Sequence, residues 1–302
     1  MIAAIDCGTN TIKLLIGDPP EVAVRETRIV RLGQGVDRSG RLSAEALSRT
    51  FAAVEEYAAL IREHDVSQVR LCATSATRDA ANGEVFAAGV RERLGVSPEV
   101  LTGHEEAALA FDGAVRHLRT PPATPVLVVD IGGGSTELVL GAESPDATHL
   151  DAAHSMDVGS VRLHERHLRD DPPTTAEIRA CVADIDAALD RSPVDPASAA
   201  TVVGVAGTTL SVVAGVLDLT AYDLDVLDQA EVPVADVIAF VDRLVAMPLE
   251  QRLALPWMHP GRADVIGAGG LILARALRRT RVKSLVASEA DILDGIAWSM
   301  VG

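Results

Sequence analysis

IAAIDCGTNTIKLLIGD at residues 2–18 and VLVVDIGGGSTELVLG at residues 126–141 are two versions of one device. In each, an apolar run ends in Asp, turns through Gly with Thr or Ser, and resumes as an apolar run. That pattern reads as strand, tight turn, strand. The turns Asp6-Cys7-Gly8-Thr9-Asn10 and Asp130-Ile131-Gly132-Gly133-Gly134-Ser135 each offer backbone N–H groups, a hydroxyl and one carboxylate. Phosphate accompanied by a divalent cation needs that combination. Two such turns facing each other would form a phosphate clamp.

The rest of the chain is consistent with a large globular protein. Its 302 residues, 48% hydrophobic, have the apolar material for one large core or for two domains of ordinary size, and two is the expectation. Strand-like runs such as VRLCAT (69–74) and TVVGVAG (201–207) alternate with helical periods, which favours α/β architecture. No stretch reaches the roughly 18 apolar residues of a membrane span, and no basic region precedes an apolar one at the N-terminus. A cytoplasmic location without a membrane partner is therefore expected.

The formal charge of −16 argues against a nucleic-acid partner, because such surfaces neutralise phosphates with clustered Lys and Arg. Any site for an anion has to be local. Cys7, Cys72 and Cys181 lie far apart with no CxxC pair, so they read as small buried residues. Lysine occurs only at Lys13 and Lys283.

Helical spacing of Leu47, Phe51, Val54, Ala58 and Ile61 predicts a helix over 43–64, capped by Ser43, that packs on a sheet. Next come a strand at 69–74, a helix over 79–94 stopped at Gly95, a short strand at 98–101 and a helix over 104–118. Thr120-Pro121-Pro122-Ala123-Thr124-Pro125 cannot continue a helix, and the domain boundary is expected there. The first domain then covers 1–122, with a C-terminal helix near 288–302 packing back on it, and the second covers 123–302. Within the second, the strand-turn-strand device recurs, followed by a strand near Met156, a helix over 177–189, a strand over 201–205 and helices to the end. The stretches 170–173 and 218–228 read as surface loops.

Two βββαβα-type domains, each opening on an Asp-Gly-Ser/Thr turn, resemble the superfold of actin, sugar kinases and Hsp70. That likeness implies an α/β protein of two ribonuclease-H-like domains with an interdomain cleft. Five segments narrow it: ATSATRDAANGEVF (73–86), LTGHEEAALAFDGA (101–114), VVDIGGGSTEL (128–138), VGVAGTTLSVVAG (203–215) and GRADVIGAGGLIL (261–273). In this order they resemble the Ppx/GppA family of exopolyphosphatases and guanosine pentaphosphate phosphohydrolases. The family usually carries Ser where Thr9 stands, and an aliphatic residue at Cys7; Thr9 keeps the hydroxyl. The sequence stops at Gly302, without the helical C-terminal domains of long members, so short polyphosphates or nucleotides are the expected substrates.

Removing a terminal phosphoryl group needs an in-line water, a base to orient it, and positive potential around the equatorial oxygens. Glu105 and Glu106 stand at the start of a helix, where the macrodipole favours ionised carboxylates. The resemblance assigns the catalytic base to Glu106, and leaves Glu105, about 100° round the helix, a structural part. A hairpin could bring Asp130 and Glu137 towards one Mg²⁺ (or Mn²⁺), with Asp6 the equivalent carboxylate of the first domain. Gly8, Thr9 and Asn10, and Gly132, Gly133, Gly134 and Ser135, are the expected phosphate cradles. Arg78 is a candidate for bidentate phosphate contact, with a solvated or ion-paired arginine as the competing reading. Gly207 and Thr208 are expected to line the cleft from the second domain. Arg262 and Asp264 belong to the resembling segment, but could simply pair structurally.

Other signals point nowhere further. The histidines of His164-Glu165-Arg166-His167 lack HExxH spacing, and Asp223, Asp225 and Asp228 lack the glycine and final glutamate of a calcium loop. Gly267-Ala268-Gly269-Gly270 is explained by close helix packing, and no P-loop occurs. The implied activity is Mg²⁺-dependent release of orthophosphate from polyphosphate, from the 5′ end of guanosine pentaphosphate, or from both. Guanosine or adenosine polyphosphates are thus the small-molecule partners, and a homodimer is an assembly left open. The rival functions are a nucleoside tri- or diphosphate hydrolase, a kinase of the same superfold, and a non-catalytic sensor.

Overall fold

A computed structural model of the chain describes residues 1–144 and 147–301. It divides into two compact units, Met1–Gly113 together with Ile292–Gly302, and Ala114–Asp291.

Unit 1 runs β1 (Ile2–Cys7), β2 (Thr11–Asp18), β3 (Glu21–Ile29), α1 (Val36–Ser39), α2 (Ala44–Glu63), β4 (Gln68–Ala73), α3 (Ser75–Asp79), α4 (Gly83–Leu94), β5 (Glu99–Val100) and most of α5 (Gly103–Arg116), which ends past Gly113. Its sheet has the order β3-β2-β1-β4-β5, antiparallel through β3, β2 and β1 and parallel from β1 to β5. Side chains alternate across a strand, so β1 serves two cores. Ala3, Ile5 and Cys7 join the cluster under Leu47, Val54 and Tyr57 of α2. Ile2 and Ala4 join Leu101, Ala110, Ile292 and Ile296 on the other face. A strand buried on both faces has to be apolar almost throughout, as this one is.

Helix α2 begins where Ser43 accepts from Ala46 N at 3.1 Å, and Tyr57 fixes it to the sheet by donating to Ile12 O at 2.9 Å. The helix expected over 79–94 is instead two helices. The Asn82 side chain bonds both Leu42 N and Leu42 O, at 2.8 and 3.0 Å, and Ala81 N bonds Gly40 O, so the backbone between α3 and α4 is tied to a loop.

Unit 2 continues with β6 (Val126–Ile131), β7 (Thr136–Ser144), β8 (Ala147–Met156), α6 (Ser160–His167), α7 (Thr175–Arg191), β9 (Thr201–Val205), α8 (Ala206–Val216), α9 (Leu224–Leu227), β10 (Glu231–Pro233), α10 (Val234–Ala246), α11 (Leu249–Leu253), α12 (Ile266–Leu277) and β11 (Ser284–Ala287). The last helix, α13 (Ile292–Trp298), belongs to unit 1. The sheet order is β10-β11-β9-β6-β7-β8. β6 to β8 form an antiparallel meander, and β9 and β11 run parallel to β6.

Two expectations are corrected here. The segment after β9 is not purely helical, because β10 and β11 extend the sheet; both are very short, and β10 ends in a proline that only an edge strand tolerates. The acidic stretch 218–228 is not simply a loop, since Asp223 accepts from Asp225 N at 3.0 Å and starts α9. Helix α12 is apolar nearly all round and lies within the core, which is why Gly267 to Gly270 can pack closely.

Candidate active site

In unit 1 the site residues stand at the carboxyl ends of parallel strands, where open α/β sheets commonly place ligands. The register pairs Cys7 with Ala73 and Ala73 with Val100, so the chain leaves β1, β4 and β5 side by side. From β1 it enters the Gly8 turn, from β4 it enters α3, and from β5 it enters α5.

The turn is closed by Gly8 N donating to Thr11 O at 2.9 Å. Its carbonyls are used by protein donors: Gly33 N reaches Thr9 O, and Val30 N and Arg31 N reach Asn10 O. The Thr9 and Asn10 N–H groups have no acceptor among the described residues. Both residues are buried, and buried main-chain donors are rarely left unpaired. Successive free N–H groups at a turn form an anion-binding concavity. The Thr9 hydroxyl lies 2.8 Å from Ser75 Oγ, and Asn10 Oδ1 is buried without a partner.

Glu106 is 6% exposed. Its Oε2 accepts from Arg78 Nη1 at 2.9 Å, and the same nitrogen donates to Leu101 O at 2.9 Å. Burial pushes the Glu106 carboxyl above the ordinary glutamate range, while the Arg78 guanidinium and the Thr74 hydroxyl pull it back. Thr74 also reaches the turn: a Cβ placed on Gly8 would sit 3.9 Å from Thr74 Oγ1. Glu106 and the Gly8 turn are therefore neighbours within unit 1. Arg78 is ion-paired, as one of its two readings had it, and its Nε and Nη2 have no acceptor among the described residues.

Glu105 has a different fate one position away. It accepts from Thr102 N and Thr102 Oγ1, both at 2.8 Å, while its own N–H bonds Thr102 Oγ1 at 3.3 Å. This reciprocal cap starts α5 and holds the Glu105 carboxyl below its usual range through the Thr102 backbone and hydroxyl bonds.

Unit 2 repeats the turn. Gly132 N donates to Ser135 O at 3.0 Å, and the carbonyls are again occupied: Ser160 N on Gly132 O, Val161 N and Arg162 N on Gly133 O, and Arg162 Nε on Gly134 O. The Gly133, Gly134 and Ser135 N–H groups have no acceptor among the described residues. The head of α6 presses on this turn so closely that a Cβ on Gly159 would lie 2.5 Å from the Gly133 carbonyl.

Asp130 pairs with Glu137 across β6 and β7 and with Val205 across β6 and β9. The second pairing brings Gly207 and Thr208, at the head of α8, to the same sheet end as the glycine turn. Ala206 takes a left-handed φ of 64° there, a conformation a non-glycine residue holds only under constraint. Arg262 packs against Gly207, where a Cβ would meet its Nη2 at 2.2 Å, and Arg262 Nη1 donates to Ser211 Oγ at 2.9 Å. Its structural pairing is thus with Ser211.

Asp130 and Glu137 are both buried and share one sheet face, and Ser155 Oγ donates to Glu137 Oε1 at 2.6 Å. No group of three or more His, Cys, Asp or Glu is arranged to hold a metal among the described residues. Two opposed carboxylates still fit Mg²⁺, which takes one or two carboxylates and completes its shell with waters and substrate phosphates. Asp6 stands with Lys13, whose Nζ is 3.8 Å from Asp6 Oδ2. The cysteines are buried and unbridged, and burial pushes the Cys72 and Cys181 thiols up to about 12, which leaves them unreactive.

Sequence reasoning missed Thr74, Ser155 and the Asp6–Lys13 pair. Only the last left a signal, since Lys13 has the same spacing from Asp6 as Glu137 has from Asp130.

The model of the Ppx/GppA phosphatase family matches residues 15–302. Exopolyphosphatase 2 of Mycobacterium tuberculosis is 47% identical over 322 aligned positions, covering 100% of this chain and 98% of that protein. The crystal structure of an exopolyphosphatase-like protein superposes with a TM-score of 0.94 at 42% identity, over 99% of this chain and 98% of that one. A Ppx/GppA family member from Aquifex aeolicus superposes with a TM-score of 0.80 at 29% identity, over 99% and 97%.

Proposed function

The chain belongs to the Ppx/GppA phosphatase family, and on that premise we propose that it removes terminal orthophosphate from inorganic polyphosphate, with the 5′ end of guanosine pentaphosphate as a second substrate. The observation that carries this reading is Glu106, a buried carboxylate held by Arg78 beside a turn with free main-chain donors. The name of the Mycobacterium tuberculosis relative supports polyphosphate as the substrate class.

Within unit 1 each residue has a role. The N–H groups of Thr9 and Asn10 bind phosphate oxygens, and unit 2 carries the same kind of donors at Gly133, Gly134 and Ser135. Glu106 orients a water and takes its proton as the water oxygen attacks the terminal phosphorus. The anhydride P–O bond breaks, and its electrons leave with the shortened chain. A base whose proton affinity burial has raised suits this role at neutral pH. Free Nε and Nη2 groups of Arg78 meet charge on the equatorial oxygens. Mg²⁺ or Mn²⁺ bound at Asp130 and Glu137 would supply further neutralisation of phosphate charge.

A phosphate-release panel tests the proposal. Polyphosphate, guanosine pentaphosphate and ATP are each incubated with the protein and Mg²⁺. Release from polyphosphate is expected; release from ATP alone contradicts the proposal.

A further inference from the structure

Thr9 Oγ1 and Ser75 Oγ lie 2.8 Å from one another, and the two residues are 6% and 1% exposed. Ser75 is the first residue of α3, the helix whose last turn carries Arg78. Thr74 N ties the head of that helix to β1 by donating to Cys7 O at 3.2 Å. The Thr9 side chain is fixed from its other side as well. Gly33 N donates to Thr9 O at 2.9 Å, and a Cβ on Gly33 would lie 2.4 Å from Thr9 Cγ2, so the methyl group rests against a glycine. A β-branched side chain is stiff at χ1, and with its methyl placed there its hydroxyl is held towards Ser75.

Two hydroxyls carry two hydrogens, and one of them is spent between the oxygens. The other has no acceptor among the described residues. Either oxygen can donate within the pair, but the two choices differ in cost. If Thr9 donates, the spare hydrogen sits on Ser75, shut away from solvent and unpaired, and its solvation is forfeited. If Ser75 donates, the spare hydrogen sits on Thr9, in the turn where the Thr9 and Asn10 N–H groups also lack acceptors. We infer that Ser75 is a positioning residue for phosphate binding: by donating to Thr9 it aims the Thr9 hydroxyl hydrogen at an oxygen of the bound anion. Donation from Ser75 also polarises the Thr9 hydroxyl and strengthens that bond. Ser75 acts through Thr9 and does not itself meet the anion. The inference rests on the reading of the Gly8 turn as a phosphate cradle.

The test places Ser75→Ala in three backgrounds of the full chain: the parent, Thr9→Ser, which keeps the hydroxyl, and Thr9→Val, which removes it. In phosphate release from polyphosphate, Ser75→Ala should lower kcat/KM by roughly 3- to 10-fold in the parent, the worth of one hydrogen bond. The factor should be similar beside Thr9→Ser and should vanish beside Thr9→Val, because nothing is left to aim. A parental value for Ser75→Ala, or an equal loss in all three backgrounds, would overturn the inference. Melting curves with and without saturating methylenediphosphonate, a non-hydrolysable anhydride, give a readout that a purely structural role would not move. The rise in Tm on adding the ligand should be smaller for Ser75→Ala than for the parent. A Tm lowered equally with and without ligand would make Ser75 structural only and overturn the inference, as would the absence of any rise in the parent. A parent that releases phosphate from no substrate but melts higher with methylenediphosphonate, by a margin that Ser75→Ala reduces, would overturn the proposed activity and leave the inference standing.

Discussion

Arg78 donates through Nη1 to Glu106 Oε2 at 2.9 Å, joining the last turn of α3 to the first turn of α5. The pair sets the proton affinity of the base, because burial raises it and the guanidinium opposes the rise. It also aims Arg78: with Nη1 committed to Glu106 and Leu101 O, the remaining donors are left for a ligand.

Arg78→Gln removes the opposing charge. The Glu106 carboxyl should then hold its proton to higher pH, so the acid limb of the kcat profile moves upward. Loss of the phosphate contact should lower kcat/KM by roughly 10- to 100-fold, the worth of a charge-assisted hydrogen bond. Phosphate release measured from pH 5 to 9 reads both effects, and an acid limb that stays in place would count against the pair's tuning role.

Glu106 has a stability signature of opposite sign to its catalytic one. Its folded-state proton affinity is raised, so the folded chain holds more protons than the unfolded one between the ordinary and the raised value, and stability falls as pH rises through that window. Glu106→Gln should therefore melt no lower than the parent at pH 7.5. The difference should narrow as pH drops below the ordinary glutamate range. A lower Tm at neutral pH would show that the lost ion pair outweighs the relieved burial.

Gly159 lets the head of α6 touch the glycine turn. A methyl group there must displace the Gly133 carbonyl, since only 2.5 Å is available and the obstacle is backbone. Gly159→Ala should cost about 1–3 kcal/mol of stability, as overpacking does. It should also raise KM, because the turn's N–H groups lose their alignment. Unfolding in urea and saturation curves with polyphosphate would check the two effects separately.

Thr102→Ala separates the neighbouring glutamates. It removes the cap shared with Glu105 and should cost about 1 kcal/mol, the usual worth of an N-cap side chain. Glu106 lies beyond the cap and keeps Arg78, so kcat should change by less than about threefold. A loss comparable to that of a catalytic variant would mean that Glu105 shares the chemistry.

The paired turns were legible because their apolar runs, Asp and glycine specify a hairpin from adjacent residues alone. Helix α2 was legible for the same reason: its apolar face repeats at helical spacing behind the Ser43 cap. What escaped depends on distant partners. The break between α3 and α4 is fixed by Asn82 bonding Leu42 across the fold, and its one local mark is the Asn82-Gly83 pair, a common turn signal. β10 and β11 are too short for a periodic signal and form only because they pair with each other and with β9. Arg78 had two readings because the sequence cannot say that Glu106 lies beside it. The Asp6–Lys13 pair was within reach, since the hairpin logic applied to Asp130 and Glu137 applies equally to the first turn.

The central claim is that Glu106 is the base. The measurement that bears on it most directly is kcat for phosphate release from saturating polyphosphate by Glu106→Gln, with its fold verified by circular dichroism. A loss of roughly 10²- to 10⁴-fold, the usual contribution of a positioned base, is predicted. Release at the parental rate by the folded variant would contradict it.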